Sequence, residues 1–359
     1  MKIFIAAGEP SGDLYGSLIA SELLALNCNL SIFGMGGDLM RESGVKILRD
    51  FTDLTTFGFY EGLKNYFRLK KIYNEFSNYL YLLRPDIFLP ISFAGFNLRL
   101  SAVAKKLGVR VIYFAPPQLW AWGRWRAKVL RRNTDKVICL FPFEEQFFQN
   151  LGVKAIYLGN PLLDYVEQGK NLPSNILNSV PPGSKIITFM PGSRKDEIRN
   201  HLPLMLHIFQ KLKKEIANLI GFVITENSNH LPTIDQLYYT KEARYQIMAK
   251  SDLIVTSSGT AALEAGILGV FHIGIYRLSL PSYFLARVLV KTKRFLLTNI
   301  ILKEDIVPEI IQPTFPKLYP IVIKLLQNPQ SFRKERLLRI KNILGPSGAA
   351  KRIAQAIVA

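Results

Sequence analysis

Ile3-Phe4-Ile5-Ala6-Ala7-Gly8-Glu9-Pro10-Ser11-Gly12-Asp13-Leu14 opens the chain, and its reading decides the fold. A short apolar run that stops at a glycine reads as a buried strand, and the pattern from Leu14 to Leu26 has the helical period. Strand, loop and helix in that order predict a doubly wound α/β unit. Gly8 and Gly12 let the loop backbone approach a ligand, and the helix start attracts an anion. Gly12 is therefore a candidate binding residue, and Glu9 and Asp13 are candidate catalytic carboxylates at the same edge. The spacing is not the dinucleotide Gly-x-Gly-x-x-Gly, and the loop also fits a plain strand-to-helix turn capped by Ser11 or Asp13.

The alternation continues outward. Apolar runs bounded by turn signals recur at 30–33, 87–91, 109–114, 137–141 and 155–158, with helical stretches between most of them. From Lys170 to Ser184 the chain turns polar and is broken by Pro173, Pro181, Pro182 and Gly183, as a linker is. A second series of runs follows at 186–190, 220–225, 253–256 and 270–275. The reading is an α/β protein of two Rossmann-like domains with a cleft between them: 1–165, a linker 166–184, 185–332, and a helical segment 333–359 that could cross back to the first domain. In such folds the carboxyl ends of the strands hold the ligand.

Two loops of the second half repeat the logic of the first. Pro191-Gly192-Ser193-Arg194-Lys195 follows a strand and opens a helix, placing a guanidinium beside backbone donors in a way that suits a diphosphate. Ser257-Ser258-Gly259-Thr260-Ala261-Ala262-Leu263-Glu264 sets small hydroxyl residues around a glycine ahead of a helix. Its hydroxyls and amides suit phosphate oxygens and Glu264 a ribose diol, although a simple helix start has the same residues. Gly192, Ser193, Ser258, Gly259, Thr260 and Glu264 are thus candidate nucleotide contacts.

The balance of charge is +19, with 46 Lys and Arg against 27 Asp and Glu, which favours an anionic partner. No nucleic-acid recognition module is present to account for it. Cys28 and Cys139 stand far apart, so neither a disulfide framework nor a zinc site is suggested. No apolar stretch approaches the roughly 20 residues of a membrane span, so a membrane role would be peripheral. His201, His207, His230 and His272 lack metal-ligand spacing, and no Asp-x-Asp occurs, so neither a metal nor a cofactor is expected.

Two segments mix aromatic and cationic residues. Phe59, Tyr60, Leu63, Lys64, Tyr66, Phe67, Arg68, Lys70 and Lys71 lie in an amphipathic stretch running to Leu83, which reads either as a core helix or as a membrane foot carrying acyl contacts. Trp120-Ala121-Trp122-Gly123, with Arg124, Trp125, Arg126 and Lys128 after it, fits either a stacking surface for a base or sugar or a packed loop.

Taken in order, these segments resemble the lipid-A-disaccharide synthase family. The opening loop resembles its Gly-Glu-x-Ser-Gly-Asp, Phe57–Glu61 its Gly-x-x-Glu, and Trp120–Trp122 its Trp-Ala-Trp. Phe141-Pro142-Phe143-Glu144 is similar to its Pro-Phe-Glu, Gly159-Asn160-Pro161 to its Gly-His-Pro, and Pro191–Arg194 to its Pro-Gly-Ser-Arg. Ser258–Glu264, Tyr276-Arg277 and Leu289–Asn299 complete the series. The resemblance implies a GT-B glycosyltransferase that condenses UDP-2,3-diacylglucosamine with 2,3-diacylglucosamine 1-phosphate. The products would be a β-1,6-linked lipid A disaccharide and UDP, with inversion. It implies catalytic roles at the donor for Arg194 and Asn299 and a binding role there for Arg277, a cytoplasmic place at the anionic inner face of the inner membrane, and leaves a homo-oligomer open. One departure stands out. Where the family has Asp-x-x-Asp-Phe-Asn, with one aspartate the expected general base, this chain has Ser92-Phe93-Ala94-Gly95-Phe96-Asn97. Glu9, Asp13 or Glu61 would then have to serve. A relative that binds acylated sugars without efficient transfer, or a UDP-sugar enzyme with another acceptor, is the alternative.

Overall fold

A computed structural model describes residues 1–51, 62–225, 231–257, 259–277, 294–328 and 331–359, with 62–68, 179 and 331–333 described by backbone alone. The chain divides into two compact units: Met1–Pro161 with Leu344–Ala359, and Leu162–Ile343.

The first unit is built on seven parallel strands: β1 (Lys2–Ala7), β2 (Ser31–Gly36), β3 (Lys46–Asp50), β4 (Ile87–Ile91), β5 (Arg110–Phe114), β6 (Lys136–Cys139) and β7 (Ala155–Tyr157). Their order in space is β3-β2-β1-β4-β5-β6-β7. The central strands are apolar along their whole length because helices cover both faces of a parallel sheet. From Ile3 to Ala7, β1 has no exposed residue. On one face Phe4 meets the rings of Phe33, Phe76 and Phe88 at centroid distances of 5.4, 5.7 and 5.8 Å. Phe76 comes from the helix Gly62–Leu83, whose Ile72, Phe76 and Leu80 are buried in this core.

The second unit carries six parallel strands: β8 (Lys185–Met190), β9 (Leu219–Ile224), β10 (Leu237–Thr240), β11 (Leu253–Ser257), β12 (His272–Tyr276) and β13 (Glu309–Ile311), in the order β10-β9-β8-β11-β12-β13. Residues 162–170, read from sequence as the end of one domain and the start of a linker, form a helix that packs on the helices Arg244–Lys250 and Thr260–Leu268 of this unit.

Gly345 and Gly348 sit at φ 84° and 79°, backbone conformations that suit glycine, and between them the chain turns after the helix Ser331–Leu344. The last helix, Ala349–Val358, packs against the helix Pro10–Leu26. Arg352 Nε donates to the Leu158 carbonyl at 3.0 Å and Lys136 Nζ to that of Ala356 at 3.0 Å.

Each strand order reverses direction once, between β1 and β4 in the first unit and between β8 and β11 in the second. Adjacent loops diverge at such points, leaving room for a ligand at the carboxyl ends of the strands. The turns there are 8–9 and 92–93 in the first unit, ahead of the helices Pro10–Leu26 and Ala94–Lys106, and 191–194 in the second, with Gly259 ahead of the helix Thr260–Leu268.

Candidate active site

In the second unit, Gly192 has φ 117°, and a Cβ placed on it would lie 2.3 Å from Oε2 of Glu197. Only glycine fits this turn without displacing that carboxylate. Glu197 caps the helix Lys195–Glu215: its Oε2 accepts from the backbone N–H of Ser193 at 3.2 Å and of Arg194 at 3.4 Å. The Arg194 guanidinium reaches Glu197 Oε1 at 3.6 Å while 59% of its side chain stays exposed. The amides expected to meet a phosphate are thus engaged by the helix's own carboxylate, and the guanidinium is the more accessible group of the loop.

His201, which has no metal-ligand spacing in the sequence, ties this loop to the strand two places away. Its Nδ1 lies 2.9 Å from the Pro191 carbonyl, and its Nε2 accepts from the Arg277 backbone N–H at 3.1 Å. A carbonyl at one nitrogen and an N–H at the other select a single neutral tautomer, protonated on Nδ1. Burial lowers the pKa of this histidine and keeps it neutral. Arg277 is exposed beyond the end of β12, and its backbone is fixed by the same imidazole that fixes Pro191. Arg194 and Arg277 therefore both belong to loops anchored by His201.

The other expected donor-side residues separate. Gly259 (φ 129°) and Thr260 are half-buried at the start of the helix Thr260–Leu268, whereas Ser258 lies outside the described residues. Glu264 is buried and already paired. Its Oε2 accepts from Arg244, with Nε at 3.0 Å, and its Oε1 accepts from the Tyr245 hydroxyl at 3.2 Å. Asn299, expected at the donor, instead shapes a loop. Its Nδ2 donates to the Val307 carbonyl at 2.8 Å and to Glu309 Oε1 at 2.7 Å, and its Oδ1 accepts from Ile306 and Val307 N–H at 3.0 and 3.1 Å. Those four bonds use the full capacity of the carboxamide, which corrects its assignment as a catalytic group.

Asp13 meets a similar correction. Its Oδ1 accepts from Gly37 N–H at 2.6 Å and Met40 N–H at 3.2 Å, and its Oδ2 from Leu39 N–H at 3.2 Å. The buried carboxylate anchors the start of the short helix Asp38–Glu42. Burial raises its pKa against the pull of those three N–H groups. Gly12 faces inward, where an added Cβ would stand 3.2 Å from that of Ala7, so this glycine serves helix-to-strand packing.

Glu9 remains half-buried at the carboxyl end of β1, with the Ser11 hydroxyl donating to its Oε1 at 3.2 Å. The loop after β4 closes on it. A Cβ on Gly8 would fall 2.5 Å from the Phe93 ring, so the two loops are in contact. Buried Asn97 donates from Nδ2 to the carbonyls of Ala6 (2.9 Å), Ile91 (3.1 Å) and Ser92 (3.0 Å), knitting the ends of β1 and β4 together. Tyr113 donates its hydroxyl to the Ser92 carbonyl at 2.6 Å, and burial first, then the charge of Glu9, pushes this phenol up in pKa. Ser92, Phe93 and Ala115 all take left-handed backbone conformations, at φ 49°, 45° and 51°. Such strain costs about 1–3 kcal/mol per residue and gathers at functional sites. Gly95, at the start of the helix Ala94–Lys106, is exposed, with nothing within 4 Å of an added Cβ.

Three sequence segments noted separately also form one network. Trp120 Nε1 donates to Glu144 Oε1 at 3.0 Å, while Glu144 Oε2 accepts from Leu140 and Phe141 N–H at 3.0 and 3.1 Å. Asn160 Nδ2 holds the Leu140 carbonyl at 3.2 Å. Burial lifts the Glu144 pKa to about 7 against those three donors.

Of the residues expected to face a membrane, Phe59 and Tyr60 lie outside the described residues, as do the side chains of Leu63, Lys64, Tyr66, Phe67 and Arg68. Lys70 and Lys71 are exposed, and from Ile72 onward the helix is a core helix. Among the described residues no helix is long and apolar enough to cross a membrane. Among them, too, no group of three or more His, Cys, Asp or Glu is placed to hold a metal ion.

Two parallel α/β units, each with ligand-type loops where its strand order reverses, define the GT-B class of folds. Solved structures share the architecture: a UDP-GlcNAc 2-epimerase from Neisseria meningitidis bound to UDP-GlcNAc (13% identity, all of both chains covered, TM-score 0.68) and a calicheamicin glycosyltransferase (13% identity, 99% of this chain and 97% of that one, TM-score 0.66). The family model for lipid-A-disaccharide synthetase matches residues 3–344. The lipid-A-disaccharide synthase of Geobacter sulfurreducens is 31% identical over 367 residues, covering 98% of this chain and 95% of its own. The chain belongs to the lipid-A-disaccharide synthase family and is a glycosyltransferase of lipid A synthesis.

Proposed function

We propose that the enzyme transfers the sugar of UDP-2,3-diacylglucosamine to the 6-hydroxyl of 2,3-diacylglucosamine 1-phosphate. The acceptor oxygen bonds to the anomeric carbon as the bond from that carbon to the UDP oxygen breaks. UDP leaves with the electron pair, and inversion gives the β-1,6 disaccharide. The observation that carries the donor side is the pair Arg194 and Arg277, on two loops held by His201 at the ends of β8 and β12. Guanidinium groups carried on loops fixed in this way stabilise the charge that grows on the departing diphosphate. Gly192, Ser193, Gly259 and Thr260 shape the same edge.

On the acceptor side the base is Glu9. It stands where the order of the first sheet reverses, against the loop that carries serine and glycine in place of the family's two aspartates. Ser11 orients its carboxylate. It takes the proton of the attacking hydroxyl, assistance typically worth 10²–10⁴-fold. The acyl chains, together with the +19 balance of charge, support work at the cytoplasmic, anionic face of the inner membrane.

UDP release in detergent, with both acylated sugars and with a non-acylated UDP-glucosamine donor, tests this reading. Release that needs both acylated sugars and drops at least 100-fold in Glu9→Gln supports it. Tight UDP-sugar binding with no UDP release, or equal turnover of the non-acylated donor, overturns it.

A further inference from the structure

Residues 115–134 contain five cations and no carboxylate, together with every tryptophan of the chain, Trp120, Trp122 and Trp125. The segment runs through a 3-10 turn, Arg124–Arg126, into the helix Ala127–Asn133. Ala127 and Leu130 are buried in the core of the first unit, and that anchors the opposite side of the turn and helix in solvent. Arg124, Trp125, Lys128, Arg131 and Arg132 are all exposed, at spacings of three and four that place them on one face. Trp125 is 72% exposed and Trp122 48%. The Arg126 guanidinium stacks 4.0 Å from the Trp122 ring centroid and lies 6.0 Å from that of Trp125. Among the described residues, none of the five cations forms an ion pair.

A large indole left in water is unfavourable, and most of the Trp125 surface is open to solvent. Tryptophan prefers the boundary between lipid headgroups and acyl chains, where its apolar body and N–H are both accommodated. Unpaired cations beside it, with no carboxylate to repel phosphates, complement an anionic bilayer. We propose that the exposed face of residues 122–132 docks the enzyme on anionic phospholipid. Trp125 enters the headgroup boundary, and Arg124, Lys128, Arg131 and Arg132 lie on lipid phosphates. The inference rests on the membrane-surface reading above and adds a contact separate from the helix Gly62–Leu83.

Because all three tryptophans lie in this segment, tryptophan fluorescence reports on this segment alone. Vesicles of phosphatidylethanolamine with phosphatidylglycerol brominated in its acyl chains should quench and blue-shift the emission, and Trp125→Phe should remove most of the quenching. Neutralising three cations in R124Q/K128Q/R132Q should weaken partitioning by about 100-fold, at about fivefold per cation. UDP release from detergent-dispersed acylated sugars should not change. Vesicle binding without quenching, or undiminished binding of the triple variant, overturns the assignment of this face but leaves the membrane reading standing. Failure of the wild-type protein to bind such vesicles removes both. Loss of detergent activity in the triple variant, or its release from double-stranded DNA with vesicle binding intact, also overturns the proposal.

Discussion

At Gly95, where the resemblance to the family implies a carboxylate, the space for one is retained. The position is exposed, its backbone is not left-handed, and an added Cβ meets nothing within 4 Å. Gly95→Asp should therefore fold. It puts a carboxylate at a helix start, worth about 0.3–1 kcal/mol, so the melting temperature should rise. If turnover is limited by base assistance, UDP release should rise at least tenfold in Gly95→Asp and should rescue Glu9→Gln in part. The same scale shows what residue types alone could not disclose. Glu9 and Asp13 look equivalent in the sequence, as two carboxylates in one loop. Three backbone N–H groups from a segment more than 20 residues away commit Asp13 to structure, and only the fold brings them there. Asn299 was legible as a motif residue, but its four internal bonds were not. His201 was passed over because it has no metal-ligand spacing. Its position ten residues after Pro191, on the buried stripe of a helix, was the available signal.

Among the elements, the central strands were readable because burial on both faces makes them continuous apolar runs. β4 occurs at the expected residues, 87–91. β3, β10 and β13 were not foreseen. All three are edge strands with half-exposed residues, so their sequences carry polar side chains and no clean run. The helix Gly62–Leu83 carried both a core and a membrane reading, since an apolar stripe does not say what it faces. Ile72, Phe76 and Leu80 settle its second half as core. The joint between β1 and β4 gives a test at this scale. Asn97→Leu removes the donor shared by three carbonyls and leaves buried acceptors unsatisfied, at about 1–3 kcal/mol each. Urea unfolding should show a loss of at least about 2 kcal/mol. The acceptor KM should rise more than the donor KM, because the joint supports Glu9 and not Arg194. His201→Ala should do the reverse, raising the donor KM.

For the molecule as a whole, two buried histidines make the second unit sensitive to acid. Burial lowers His272 to about 4 and moves His201 in the same direction. Each binds a proton more readily when unfolded, near its ordinary value of about 6.5. The stability they contribute is therefore complete above that value and is lost as pH falls, for His272 through about 4. The His272 contribution is on the order of 3 kcal/mol. Unfolding midpoints measured from pH 7 to pH 4 should fall, and less so in His272→Gln. A flat profile in the wild-type protein would refute the assignment.

On the proposed mechanism, the reversal of strand order in each sheet organises the chemistry, with Glu9 at one and the loops held by His201 at the other. Single-turnover formation of the disaccharide from both acylated sugars, in wild-type protein and Arg194→Ala with UDP-sugar binding measured alongside, tests this most directly. The account predicts rapid product in the wild type, and in the variant a loss of about 10²–10³-fold in the chemical step with the fold intact. Unchanged product formation in Arg194→Ala would contradict it.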